Sequence, residues 1–176
     1  KDYDRDGQTL SARISYEESE DDELEDIEDF ASFPLISESI FEKVSNIDFQ
    51  KRLLGQVDFI YPIDKETEFE FGYRGSFLER ETDYNVSFLT GNSFISDSGL
   101  SNIFNYKESV NSLYTQFGKK FDKLSALFGL RYENSKQEIN QKTTNQFEIK
   151  KYSDLFPTLN LAYEFSSQES LTFGYS

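Results

Sequence analysis

Along ALFGLRYENS (126–135), Ala126, Phe128, Leu130 and Tyr132 alternate with Gly129, Arg131 and Glu133. A period of two predicts an extended strand with one apolar and one wet face. The same alternation recurs along the chain. A first strand is expected around 8–18, with Leu10, Ala12, Ile14 and Tyr16 opposing Ser11, Arg13, Ser15 and Glu17. A second, about 49–61, sets Leu53, Val57, Phe59 and Tyr61 against Gln56 and Asp58, although Leu54 and Ile60 break its wet face. In a third, about 67–79, Phe69, Phe71, Tyr73 and Phe77 alternate with Glu68, Glu70, Arg74 and Ser76. The fourth, about 104–118, has Tyr114 and Phe117 at opposite parity, so its faces stay unassigned. The fifth is 124–134. A sixth, about 155–165, carries Leu159, Leu161, Tyr163 and Phe165 against Thr158, Asn160, Ala162 and Glu164, and a seventh begins at Leu171, Phe173 and Tyr175.

The connections alternate in length. Strands 1–2, 3–4 and 5–6 are separated by long polar segments, about 19–48, 80–103 and 135–153. Strands 2–3, 4–5 and 6–7 are separated by short ones, 63–66, 119–123 and 166–170. If neighbours pair antiparallel, every short turn lies at one end of the sheet and every long loop at the other. Outer-membrane barrels sort their loops this way, and soluble sandwiches have no general reason to. Strand cores of about ten residues suit a tilted bilayer crossing. Tyr16, Tyr61, Phe77, Tyr132 and Phe165 end apolar faces as an interfacial girdle would. The fold expected is all-β: an antiparallel up-and-down transmembrane barrel segment of about seven strands, part of a larger barrel, with residues 1–176 in one barrel domain. A soluble antiparallel sheet with one wet face also alternates, so a β-sandwich binding module stays open at this point.

Composition narrows the chemistry. The chain has no Cys or His among its 176 residues. Zinc and haem sites, Cys or His nucleophiles, Ser-His-Asp triads and disulfides all fall away together. No enzymatic activity and no cofactor are expected. With no Met and a start at Lys1, the sequence is expected to come from a longer precursor. The net charge is −15, and the segment 17–47 alone holds −11 of it, twelve acids against Lys43. A nucleic-acid partner needs clustered Lys and Arg, which are missing. No apolar run is long enough for a membrane-spanning helix, so a membrane role requires strands.

FGLRYENSKQEI (128–139), YSDLFPTLNLAYEF (152–165) and LTFGYS (171–176) follow one another in an order that resembles the barrel region of TonB-dependent outer-membrane receptors of the Bacteroidetes type, the outer membrane β-barrel family. Upstream, LSNIFNYKESVNSLYTQFGKKFDKLSALFGLRYE (100–133) fits the same strand-turn-strand style. The similarity spans most of the chain, strongest after Leu100 and weakest through the acidic segment. The resemblance implies a plugged barrel of about 22 strands in the bacterial outer membrane. Such a barrel imports a small nutrient or chelate, with energy delivered by TonB through a plug that lies outside this sequence. A non-transporting barrel for adhesion or secretion is the alternative within the membrane class.

Several stretches are candidate sites. DYDRDG (2–7) begins like a calcium-binding EF-hand loop, but its twelfth position is Arg13 where Glu belongs, so a solvated turn is expected. The acidic run 17–29 is expected to be a mobile, solvated loop, with calcium as the competing reading. Phe30, Phe33, Leu35, Ile36, Ile40 and Phe41 after it form an apolar patch for the barrel mouth or a surface lipoprotein. Thr90-Gly91-Asn92 predicts a hairpin in 84–98, whose Tyr84, Phe88 and Phe94 are candidates to line a ligand vestibule. Arg74 and Arg131 are candidate lumen contacts to ligand or plug, with ion pairing to neighbouring Glu68, Glu70 or Glu133 the more economical reading. Outer-membrane lipid is the remaining partner expected.

Overall fold

In the computed structural model, residues 7–30, 32, 38–166 and 168–176 are described. Eight strands form one antiparallel sheet: β1 (Thr9–Asp29), β2 (Ile40–Pro62), β3 (Thr67–Thr90), β4 (Ser93–Ser96), β5 (Asn102–Phe121), β6 (Leu124–Gln141), β7 (Gln146–Glu164) and β8 (Ser170–Tyr175). Their order is β1-β2-β3-β5-β6-β7-β8, with β4 folded back on β3. This is the up-and-down wall expected, open between β1 and β8. No second layer covers either face among the described residues, so the two-sheet sandwich is not formed.

The strands are about twice as long as the alternation predicts. β1, β2 and β3 run for 21, 23 and 24 residues. Most of the expected long loops are therefore strand. The acidic run 17–29, expected as a mobile loop, is the upper half of β1, paired residue for residue with β2 up to Asp29 opposite Ile40. Likewise 135–141 pairs with 146–152 across a short turn. The alternation stops because these upper halves have water on both faces, whereas the ladder hydrogen bonds that define a strand continue without it. The three calcium-like aspartates Asp2, Asp4 and Asp6, and Phe33, Leu35 and Ile36 of the apolar patch, lie outside the described residues. Of that patch, Ile40 and Phe41 open β2 and are exposed.

The expected turns are present. Asp64 closes the β2–β3 turn, accepting from the Glu66 amide at 2.8 Å and the Thr67 hydroxyl at 3.1 Å. These bonds, the amide first, hold its carboxyl below the usual carboxylate range. The β5–β6 connection is tighter than the expected 119–123, being only Asp122 and Lys123. Asp122 adopts a positive φ of 50° there. At the opposite end Gly91, with φ 65°, turns β3 into β4 at the predicted hairpin.

Register assigns every face. Leu10, Phe59, Phe71, Thr115, Leu130 and Pro157 lie in one row across six strands, on the face that carries the expected apolar residues. The ambiguous fourth strand is settled: Phe117 joins that face opposite Phe69 and Phe128, while Tyr114 points to the other, opposite Gly72. Val86 is the single buried hydrophobic among the described residues. By contrast Ile14 is 81% exposed, Phe128 54% and Phe173 58%. An apolar face of this extent with nothing packed on it has bilayer as its natural solvent.

The apolar band also crosses the sheet obliquely. In β1, β2 and β3 it ends upward at Tyr16, Leu53 and Phe77, mutually opposite. In β5, β6 and β7 it ends at Leu113, Tyr132 and Leu155, also mutually opposite. Leu113, however, is opposite Tyr73, four residues below Phe77. The lower edge drops by the same step, since Phe69 is opposite Phe117, four residues before Phe121. A shift of about 13 Å over the roughly 14 Å between β2 and β6 corresponds to a strand tilt of roughly 40°, as a closed barrel requires.

Candidate functional site

The face opposite the apolar band is polar and concave, and its centre is built around a glycine. Gly72 sits in register between Asp58 of β2 and Tyr114 of β5. With no side chain at Gly72, the Tyr114 ring lies flat across β3, where a Cβ would come within 2.3 Å of it. Its hydroxyl thereby reaches the Asp58 carboxylate. Gln56 Nε2 donates to Asp58 at 3.0 Å and to the Tyr114 oxygen at 3.2 Å, and the Ser11 hydroxyl donates to Asp58 at 3.3 Å. One carboxylate thereby links side chains of β1, β2 and β5 across the intervening β3. Beside this network, Ser112 donates to Glu133 at 3.1 Å and Arg131 pairs with Glu133 at 3.6 Å. The Arg131 guanidinium lies 4.8 Å from the centre of the Phe156 ring.

Apart from Glu133, these side chains line a concavity of about 760 Å³, with Glu70, Arg74 and Thr158 completing its wall. A second concavity of about 810 Å³ lies below it, near the short turns, against Glu68, Gly118, Leu127 and Asn160. Arg74 is exposed, and no hydrogen bond or ion pair holds it among the described residues. The wall of this concavity thus presents one free guanidinium, one held guanidinium and several fixed acceptors. It suits recognition of a polar ligand or protein surface. No group of three potential metal ligands occurs among the described residues.

Above the level of the apolar band, the same concave face carries a second constellation. Arg80 Nε donates to both Asp48 carboxylate oxygens at 2.9 Å, and Thr82 adds a bond at 3.1 Å. The Arg80 bond is the main cause that lowers the Asp48 pKa. Tyr106 donates to Glu108 at 2.9 Å. Burial, reinforced by that carboxylate, pushes its phenol up to about 12.

The five sequence candidates divide between levels and faces. Arg74 and Arg131 line the concavity of about 760 Å³. Tyr84 and Phe88 share their face by parity, but Tyr84 is ten residues along β3 from Arg74, or roughly 33 Å. Phe94 is on the other face, opposite Leu89, with Lys43 Nζ 4.9 Å from its ring centre. The predicted vestibule trio is therefore split, because the β3–β4 pairing puts Phe94 and Phe88 in rows of opposite parity. The Asp58–Tyr114–Gln56 network was not foreseen. Its one sequence signal was Gly72, an isolated glycine inside a strand, which marks a close approach.

A family model described as the outer membrane protein beta-barrel family matches residues 1–176. Among solved structures, the ferric citrate transporter FecA in its unliganded form aligns with a TM-score of 0.51 at 14% identity, over 91% of this chain and 25% of that one. The ferric yersiniabactin uptake receptor FyuA from Yersinia pestis aligns with a TM-score of 0.49 at 10% identity, over 93% of this chain and 24% of that one. The chain spans about a quarter of the length of either structure. A sequence search of curated proteins returned no match.

Proposed function

Because this chain belongs to the outer membrane protein beta-barrel family, and so resides in the bacterial outer membrane, we propose that it is a wall segment of a TonB-dependent receptor importing a small nutrient or chelate. The observation that carries this reading is the concave face with its exposed, unpaired Arg74 beside Arg131, backed by an outward band for lipid. On this reading the plug, the segment that contacts TonB and the remaining strands are supplied outside residues 1–176. Arg74 and Arg131 touch plug or ligand in passage, and Tyr84 and Phe88 meet the ligand higher up. Phe94 is left out of that set by its face. The exposed start of β2 at Ile40 and Phe41 is the contact offered to a surface lipoprotein.

The test is accumulation of candidate nutrients in cells carrying the full-length protein. Uptake that stops when TonB is removed, and falls about tenfold in the Arg74→Ala, Arg131→Ala double variant at unchanged surface abundance, supports import. Loss of an adhesion or secretion phenotype, with uptake of every candidate untouched, would replace import with the alternative function.

A further inference from the structure

Above the lipid band, two residues beyond its edge in β1 to β3 and six beyond it in β5 and β6, the outward face carries a row of charges. Glu18, Lys51, Glu79, Lys107 and Glu138 stand opposite one another across five strands, alternating in sign. Lys51 pairs with Glu18 at 3.7 Å and Lys107 with Glu79 at 2.9 Å. One place departs from this compensation. Lys136 of β6 and Lys151 of β7 are directly opposite, the single like-charged cross-strand pair on the outward face among the described residues. Like charges in that position destabilise a sheet, a cost that an anion bound between them removes. Lys136 has Glu138 as a partner. Lys151 is exposed and has no carboxylate within ion-pairing distance among the described residues.

Height and surroundings identify the anion. The pair lies four residues above Tyr132 and Leu155, the last apolar pair of these strands. At a rise of about 3.3 Å and a tilt of roughly 40°, that is about 10 Å above the band, and lysine stems reach back down from there. Headgroups fill roughly the first 5–8 Å above the hydrocarbon, the layer those down-reaching ammonium groups enter. A shallow outward depression of about 200 Å³ adjoins it, lined by Phe77, Ser109, Lys107 and Lys136 with Glu79 and Glu138. A free anion would have to approach a chain of net charge −15 whose upper strands carry most of that charge. An anion tethered by acyl chains already lying against Phe128 and Leu130 does not face that barrier.

We propose that Lys136 and Lys151, flanked by Lys107, form a binding site for the phosphate of an outer-leaflet lipid headgroup. The site is independent of what the barrel imports. It is tested on the full-length protein extracted from outer membranes in neutral detergent, by native mass spectrometry of the phosphorylated lipid it retains and by titration with short-chain phosphatidic acid. The Lys136→Gln, Lys151→Gln double variant is expected to bind phosphatidic acid on the order of tenfold more weakly. Lys150→Gln, the same charge change one residue away on the concave face, is expected to bind like the parent. Equal weakening in Lys150→Gln, or none in the double variant, would overturn the site. Inorganic phosphate competing at the concentration of the lipid would also overturn it, in favour of a free-anion site. Heat-modified mobility on gels reports folding, and the single variant Lys151→Gln, which breaks no ion pair, serves if the double variant does not fold.

Discussion

The lower and upper halves of the long strands share one hydrogen-bond ladder and differ in almost everything else. In β6, Leu124 to Tyr132 alternates apart from the inward Leu127, with Phe128 and Leu130 outward and Arg131 inward, whereas Ser135 to Gln141 is polar on both sides apart from Ile139. The backbone does not register the change. What changes is the solvent: lipid against one face below, water against both above. Amphipathic alternation therefore reports the environment of a strand rather than its extent, and the point where it fades marks the membrane surface.

The comparison can be broken most sharply by one charge placed on each half of β6. Phe128→Arg, mid-band, is expected to cost about 2–4 kcal/mol in denaturant-induced unfolding from lipid vesicles. Asn140→Arg, on the same face of the same strand above the band, should stay within about 0.5 kcal/mol. Equal costs would mean that the outward face meets the same medium at both heights.

A smaller effect is expected from the glycine that shapes the concave wall. Gly72→Ala displaces the Tyr114 ring from Asp58 and should cost about 1–2 kcal/mol, the range of one lost half-buried hydrogen bond to a charged group. Gly55→Ala, where nothing lies within 4 Å of the added methyl, should be close to neutral. A double-mutant cycle with Tyr114→Phe checks the mechanism, since the two losses should not add.

The smallest effect separates the halves by pH. Arg80 lowers the Asp48 carboxyl pKa in the folded chain. Its stabilisation is accordingly complete above the unfolded value near 4 and is lost as pH falls through the lowered folded value. Both side chains are partly solvent-exposed, which keeps the contribution small. Hydrogen exchange in the upper parts of β2 and β3 should quicken on acidification in the parent, and Asp48→Asn should remove that pH dependence while leaving the lower half unchanged.

Residue order alone was enough to read the face of each lower strand wherever parity was clean, the seven-strand wall, the sorting of turns to one end and the family. Each of these follows from side chains that must choose between lipid and water, and that choice is written in residue type. The rest emerged with strand pairing. The length of the upper strands depends on backbone pairing, which polar residues accept as readily as apolar ones, so the acidic half of β1 read as loop. The faces of Tyr114 and Phe94 depend on register with a neighbouring strand. The Asp58 network needs Gly72 brought between Asp58 and Tyr114, residues 56 positions apart in the chain, and the Lys136–Lys151 pair exists only because β6 and β7 are aligned as they are. Hydrophobicity acts on each side chain separately and can be read one residue at a time, whereas contact across strands is a property of their alignment.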